Sequence, residues 1–363
     1  MTERKRIGIL TSGGDCAGLN AAIRAAVNHA NVLGWTTLGI REGTHGLLSR
    51  PLNYLELKPE DFSGNIMRQG GTLLGSSNKG DPFAMSEGGG KPKNRAQEVV
   101  EGYRSLDLDA LIAIGGDGSF RILRKLARKG INLVCIPKTI DNDVDMTETS
   151  IGFETAVNVA TEALDRLQPT AASHHRVMVL EVMGREAGHI ALSSGIAGGA
   201  DVILIPEIPY NIDHVAQKIE DLRRRGRNFA LVVVSESIQS EDNKNVMQTF
   251  TDGETRYGGV GHAIGEQISR VTGAETRVTI LGHVQRGSPP IPRDRIIAAA
   301  FGVHAVELVK QGRFDRMVSW NNRAVTNVPI ARAIAKYRDV DHKDALIKTA
   351  RCLGICLGDR PAD

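Results

Sequence analysis

The chain has 363 residues, enough for about two domains at the usual ~100–200 residues each and for a core that needs neither disulfides nor structural metal. Its 41% hydrophobic and 24% charged residues exclude disorder as the main state, and a net charge of +3 advertises no nucleic-acid partner. Aromatics at 4% exclude base-stacking platforms, and no apolar run approaches the ~18 residues of a membrane helix.

Met1 to Arg6 is polar and leads directly into a strand, unlike a signal peptide. The four cysteines are Cys16, Cys135, Cys352 and Cys356, with no paired spacing suited to zinc or a disulfide framework. The expectation is a cytoplasmic protein with reduced thiols. Ile7 to Leu10 reads as a buried strand, Gly13 to Gly18 as a turn and Asn20 to Val32 as a helix. Ser86 to Lys93 reads as an exposed loop. The cycle returns with strand Ala110 to Ile114, turn Gly115 to Ser119 and helix Phe120 to Arg128. Further strands are expected at Leu133 to Ile136, Val177 to Val182, Val202 to Ile205, Ala230 to Ser235 and Val278 to Leu281. Strands alternating with helices predict parallel βαβ units, and wholly apolar strands predict sheets covered on both faces. The expected fold is α/β: two doubly wound, Rossmann-like lobes with largely parallel sheets and an active-site cleft between them. The lobes are expected at 1–145, rejoined at about 270–325, and at 146–270, followed by a C-terminal helical segment over 326–363.

Three turns carry chemistry. TSGGDCAGLN (11–20) follows a strand and opens a helix, where bare amides attract phosphate and glycine lets it approach. A plain strand-to-helix turn is the structural alternative. IGGDGS (114–119) sets Asp117 among glycines, where a carboxylate can hold Mg²⁺ in the company of phosphates or merely cap the next helix. PKTIDND (137–143) puts Asp141 and Asp143 on one side of an extended stretch after Thr139, suited to a proton acceptor with a second carboxylate behind it. An EF-hand reading of DNDVD fails, because Met146 and Gly152 stand where calcium binding needs Gly and an acid. Arg185 and Arg286 lie in glycine-flanked turns after strands, where doubly wound sheets bind ligands, although most arginines serve as surface ion pairs. The Arg223–Arg227 cluster reads as a solvated helix end or an anion site. Together these features describe Mg²⁺, a polyphosphate, a carboxylate base and a second anionic substrate, which is phosphoryl transfer.

In this order, TSGGDCAGLNAAIR, GGDGS, PKTIDND, EVMGREAGHIA and LGHVQRG resemble the 6-phosphofructokinases of bacterial type, from about residue 6 to 325. The resemblance implies a glycolytic phosphotransferase that moves a phosphoryl group from Mg-ATP to the 1-hydroxyl of fructose 6-phosphate. It implies Asp141 as general base, supported by Thr139 and Asp143, with Arg185 stabilising the transferring group. Asp117 would hold Mg²⁺. The donor would meet Gly13, Asn78, Lys79, Gly116, Asp117, Gly118, Ser119 and Lys138. The sugar phosphate would meet Thr139, Ile140, Asp141, Met183, Gly184, Arg185, Glu236, His283, Val284, Gln285 and Arg286, with Arg176 and Arg277 reaching it from a neighbouring subunit. A homo-oligomer, commonly a tetramer, is implied, without nucleic-acid or membrane partners. The first lobe would then take the donor and the second the sugar phosphate.

Three positions depart from the family pattern. Lys138 stands where ATP users usually carry glycine, and is typical of diphosphate users; Gly118 matches ATP users. Ile122 replaces a small glycine beside the nucleotide. Asn78 replaces an arginine, with Lys79 adjacent. The expected donor is ATP, with diphosphate or ADP as the alternatives. Arg24 matches one arginine of the bacterial effector site and Asn28 departs from a second, so allosteric responses of a different pattern are expected. Rival readings are an NAD or lipid kinase with the same Gly-Asp turn, a dinucleotide-binding oxidoreductase, whose glycine spacing differs, and a non-catalytic regulatory subunit. The intact Asp117, Asp141 and Arg185 argue against the last.

Overall fold

The computed structural model describes residues 4–77, 80–85, 91–239, 247–249 and 255–361. In chain order its strands are β1 (Arg6–Thr11), β2 (Thr36–Ile40), β3 (Tyr54–Leu57), β4 (Ala110–Gly115), β5 (Leu133–Thr139), β6 (Ile151–Gly152), β7 (Val177–Val182), β8 (Val202–Leu204), β9 (Ala230–Ser235), β10 (Met247–Thr249), β11 (Thr255–Tyr257), β12 (Thr276–Ile280), β13 (Arg316–Asn321) and β14 (Ala324–Pro329). The helices are α1 (Leu19–Val32), α2 (His45–Leu48), α3 (Ala96–Ser105), α4 (Asp117–Ala127), α5 (Phe153–His174), α6 (His189–Ala197), α7 (Ile212–Arg224), α8 (Val260–Thr272), α9 (Val284–Gly287), α10 (Pro292–Lys310), α11 (Ile330–Ala333) and α12 (Ala345–Cys352).

The chain forms two compact units, each built from two stretches: Met1–Thr155 with Arg286–Tyr337, and Ala156–Gln285 with Arg338–Asp363. Residues 146–155 stay with the first unit because β6 pairs with the end of β5 and Thr155 is bonded to Asp294. Residues 324–337 add a strand and a short helix to that same unit, whereas 338–361 complete the second.

The first unit holds one sheet in the order β14-β13-β5-β4-β1-β2-β3, with β6 branching from β5. Its five inner strands run parallel, and β3 and β14 close the two edges antiparallel. β4 is buried along its whole length, as a strand covered on both faces must be. In α4, Phe120, Leu123 and Leu126 face inward at helical spacing and leave Arg121, Arg124 and Lys125 to the outer side. The second unit holds the parallel sheet β12-β7-β9-β8, with α7 and α8 packed by Ile212, Val215, Ile219, Ile264 and Ile268 onto the apolar side chains of β7, β8 and β9. Both sheets follow the expected mixed α/β plan. The strongly parallel order brings the carboxyl ends of β1, β4 and β5 together, which is where such sheets hold ligands.

Candidate active site

In the first unit the three predicted turns converge. β1 ends at Thr11, and the chain turns away with Ser12 N–H donating to Ile114 O at 2.9 Å, so the glycine turn after β1 rests on the end of β4. A Cβ added to Gly13 would lie 3.1 Å from Ser119 Oγ and 3.5 Å from Lys138 Nζ, and one added to Gly14 would lie 3.0 Å from Arg286 Nη2. Gly13, Ser119 and Lys138 therefore surround one spot, and Arg286 covers the next residue of the same turn. Gly116 approaches β5 equally closely, its would-be Cβ 3.3 Å from Lys138 O. Gly118 is exposed, and a Cβ there would meet nothing within 4 Å.

Asp117 opens α4, where the helix dipole favours its charge. One oxygen, Oδ2, accepts from Arg121 Nε at 2.8 Å; the other, Oδ1, is buried with no partner. Such an orphaned carboxylate oxygen, next to a glycine turn suited to phosphates, fits a hard divalent cation. Among the described residues no group of three or more His, Cys, Asp or Glu stands close enough to hold a metal. A cation at Asp117 would therefore draw most of its ligands from phosphate and water, the usual habit of Mg²⁺.

Lys138 is buried and its ammonium donates to Gly14 O. Burial pushes the amine below its ordinary value; nearby Cys16, Asp15 and Asp141 oppose that shift and Arg286 adds to it. Thr139 Oγ1 accepts from Asp141 N–H at 3.1 Å, and Asp141 and Asp143 are both buried. Between them Asn142 adopts a left-handed conformation, φ 54°. Its side chain accepts from Ser150 N–H at 3.1 Å and Ser150 Oγ at 3.2 Å and donates to Glu148 O at 3.2 Å. This clasp closes the loop after β5, and the loop is held in turn by β13, where Trp320 N–H donates to Thr147 Oγ1 at 3.0 Å. Ile140 is buried beside it. Asn78 and Lys79 lie outside the described residues. Ile122 is half-buried on α4, and Arg24 and Asn28 are half-buried on α1.

In the second unit the turn after β7 carries Met183, Gly184 and Arg185. Met183 N–H donates to Gln285 Oε1 at 2.9 Å, while Gly184 N–H and Arg185 N–H share Glu236 Oε1 at 3.2 and 3.0 Å. Gly184 has φ 156°, and a Cβ there would lie 2.5 Å from Ala187 O, so this position admits only glycine. Arg185 is exposed with φ 50°. Glu236 thus shapes the turn through its carboxylate. Gln285 is fully buried, with Nε2 left without a partner, whereas His283 and Val284 are exposed. Tyr257 gives no signal in the sequence; its hydroxyl reaches Glu186 Oε1 at 3.5 Å, and burial followed by that carboxylate pushes its phenol above the ordinary range. Arg176 and Arg277 are joined by Glu275, whose Oε1 lies 2.9 Å from Arg176 and also accepts from Arg277. The Arg176 hydrogen bond is the main cause that holds the Glu275 carboxyl low.

The Arg223–Arg227 cluster is largely neutralised by its own surroundings. Arg223 bonds Glu220, Arg224 bonds Asp221, and Arg227 grips Asp201 bidentately at 2.8 Å through each nitrogen. A cavity of about 150 Å³ lined by Lys218, Arg225, Arg351 and Arg360 shares none of the predicted substrate or donor residues.

A family model described as Phosphofructokinase matches residues 6–309. The chain is 58% identical over 361 residues to ATP-dependent 6-phosphofructokinase 1 of Synechocystis sp., with 99% of this chain and 100% of that protein covered. It is 56% identical over 360 residues to the protein of the same name from Nostoc sp., with 99% and 100% covered. Among solved structures, phosphofructokinase from Saccharomyces cerevisiae superposes with a TM-score of 0.76 at 29% identity over 91% of this chain, which spans 45% of the yeast chain.

Proposed function

The chain belongs to the phosphofructokinase family, and we propose that it transfers the γ-phosphoryl group of ATP to the 1-hydroxyl of fructose 6-phosphate. The observation that carries this reading is the pair of buried carboxylates, Asp141 and Asp143, after Thr139 and beside the Gly13–Ser119–Lys138 cluster. Asp141 takes the proton of the 1-hydroxyl as that oxygen bonds the γ-phosphorus; the bond to the β-bridging oxygen breaks and ADP leaves. Thr139 and the Asn142 clasp fix Asp141 before the substrate arrives, so little reorganisation remains at the moment of reaction. Asp143 supports the same segment. Arg185 neutralises charge on the transferring group, and Gly13, Gly116, Gly118, Ser119 and Lys138 receive the donor phosphates.

Asp117 would hold Mg²⁺ through its orphaned oxygen. When bound, the cation would supply charge neutralisation on the donor phosphates. Met183, Gly184 and Glu236 orient the sugar, with Gln285 fixing the turn from behind. Arg286, with His283 and Val284 in the same turn, meets the 6-phosphate. Arg176 and Arg277 belong to the same phosphate in a homo-oligomer, in which Glu275 is their resting partner.

Initial rates with fructose 6-phosphate and Mg²⁺, with ATP, ADP or diphosphate supplied in parallel, test the donor. ATP is expected to support turnover, because Gly118 leaves room for an α-phosphate. Turnover with diphosphate and none with ATP would overturn the donor assignment and leave the sugar half standing.

A further inference from the structure

We propose that Asp294 is the positioning residue that sets the catalytic PKTID segment in place. The proposal rests on Asp141 as the base and adds the means by which the chain holds it. Asp294 stands in the first turn of α10, more than 150 residues from Asp141 in the chain, and is fully buried. Burial raises its carboxyl above the ordinary range, and that cost is offset by three hydrogen bonds. Oδ1 accepts from Gly152 N–H at 3.0 Å. Oδ2 accepts from Thr155 N–H at 2.8 Å and from Thr155 Oγ1 at 2.5 Å. The Thr155 hydroxyl accepts in turn from Ile291 N–H at 3.2 Å, which closes the arrangement back onto the segment before α10.

What Asp294 holds is β6, which among the described residues pairs with β5 alone. Ile151 pairs with Lys138 and Gly152 pairs with Thr139. A two-residue strand has too few ladder bonds to keep its own register, and a slip of one residue would turn every side chain to the opposite face. The carboxylate fixes that register from outside the sheet. The other side of β6 is packed against the first glycine turn. Cys16 Sγ donates to Ile151 O at 3.2 Å, and a Cβ on Gly152, which has φ 105°, would lie 2.5 Å from that sulfur. A Cβ on Gly18 would lie 2.7 Å from Ile151 Cγ2. So Asp294, Gly152, Cys16 and Gly18 form one tight block, and Lys138, Thr139 and Asp141 take their places from it.

A neutral amide cannot replace this carboxylate. Asn at 294 has one acceptor oxygen for two backbone N–H groups, so one donor is left buried and unpaired. The test is Asp294→Asn beside Thr155→Val and Thr155→Ser, each read by steady-state kinetics and by amide hydrogen exchange over residues 138–141. For Asp294→Asn the expected result is a ~10–100-fold fall in kcat with KM for both substrates changed less than about threefold, since a misplaced base costs the transition state more than the ground state. Exchange at 138–141 should rise. Thr155→Val should show the same pattern more weakly, and Thr155→Ser, which keeps the hydroxyl, should restore it. Were Asp294→Asn not to fold, the Thr155 pair decides alone. Unchanged exchange at 138–141 overturns the clamp whatever the activity. Faster exchange with unchanged turnover overturns the proposal by another route, because it removes this segment, and Asp141 with it, from catalysis.

Discussion

The segments Lys138–Asp143 and Arg223–Arg227 are both dense in charge, and the protein treats them in opposite ways. In the first, Lys138, Asp141 and Asp143 are buried, and the segment is fixed by the Gly14 carbonyl, the Thr139 hydroxyl and the Asn142 clasp. In the second, each of Arg223, Arg224 and Arg227 has a carboxylate from the same unit, and two of these carboxylates come from the same helix, three residues away. Charge density in the sequence is therefore not what marks a site. The candidate site is marked instead by charge that the fold takes out of water.

That contrast can be broken by substitution. Asp141→Ser should lower kcat by the ~10²–10⁴-fold typical of a lost general base, with binding of the sugar phosphate little changed. Near-normal turnover would remove Asp141 from the mechanism. The second unit offers a buried titratable group whose shift bears on stability. His189 is pushed down to about 4 from its ordinary 6.5, chiefly by burial and then by Arg338. With the folded value below the unfolded one, protons favour the unfolded chain, so stability should fall as pH drops from 6.5 towards 4, by on the order of 3 kcal/mol across that window. Urea unfolding midpoints measured through the window check this, and His189→Asn should flatten the slope.

Arg227→Ala strips both guanidinium bonds from buried Asp201, which keeps the Leu231 amide and the charge of Lys218, and should cost about 1–3 kcal/mol, less than a fully buried pair because the arginine is partly solvated. Turnover should stay the same; a matching fall in kcat would mean the cluster belongs to the site after all. Arg224→Ala, whose side chain is 75% exposed, should shift the unfolding midpoint by less than about 0.5 kcal/mol, and a larger shift would show that surface pairing here carries weight.

The parallel strands were legible because they are continuous apolar runs: Val177–Val182 and Ala230–Ser235 stand where the pattern puts them. β13 and β14 escaped the pattern, since RMVSWN and AVTNVP mix polar and apolar residues; β14 is an edge strand and β13 its antiparallel neighbour. β6 is too short for any periodicity to register. Among the site residues, the glycine turns and PKTIDND announced themselves by spacing. Asn142 was visible only as the middle of DND, although asparagine is among the few residues that tolerate its left-handed backbone. Asp294 gave no signal, because its partners, the Gly152 amide on β6 and the Thr155 amide and hydroxyl on α5, lie some 140 residues away. Asp117 was legible as a carboxylate among glycines, but its pairing with Arg121 depends on the helix that carries both.

The order of strands in the first unit also bears on how the chain is made. β5, which leads into the proposed catalytic segment, takes its outer parallel neighbour from β13, and β13 begins only at Arg316. At the ribosome's pace of ~5–20 residues per second, the Val134–Cys135 edge of β5 waits roughly 10–35 s for its partner. The second unit waits as long, since Val202 takes a bridge from Cys356, more than 150 residues later in the chain. The nascent chain therefore carries an open, apolar strand edge that must be shielded until β13 has been made.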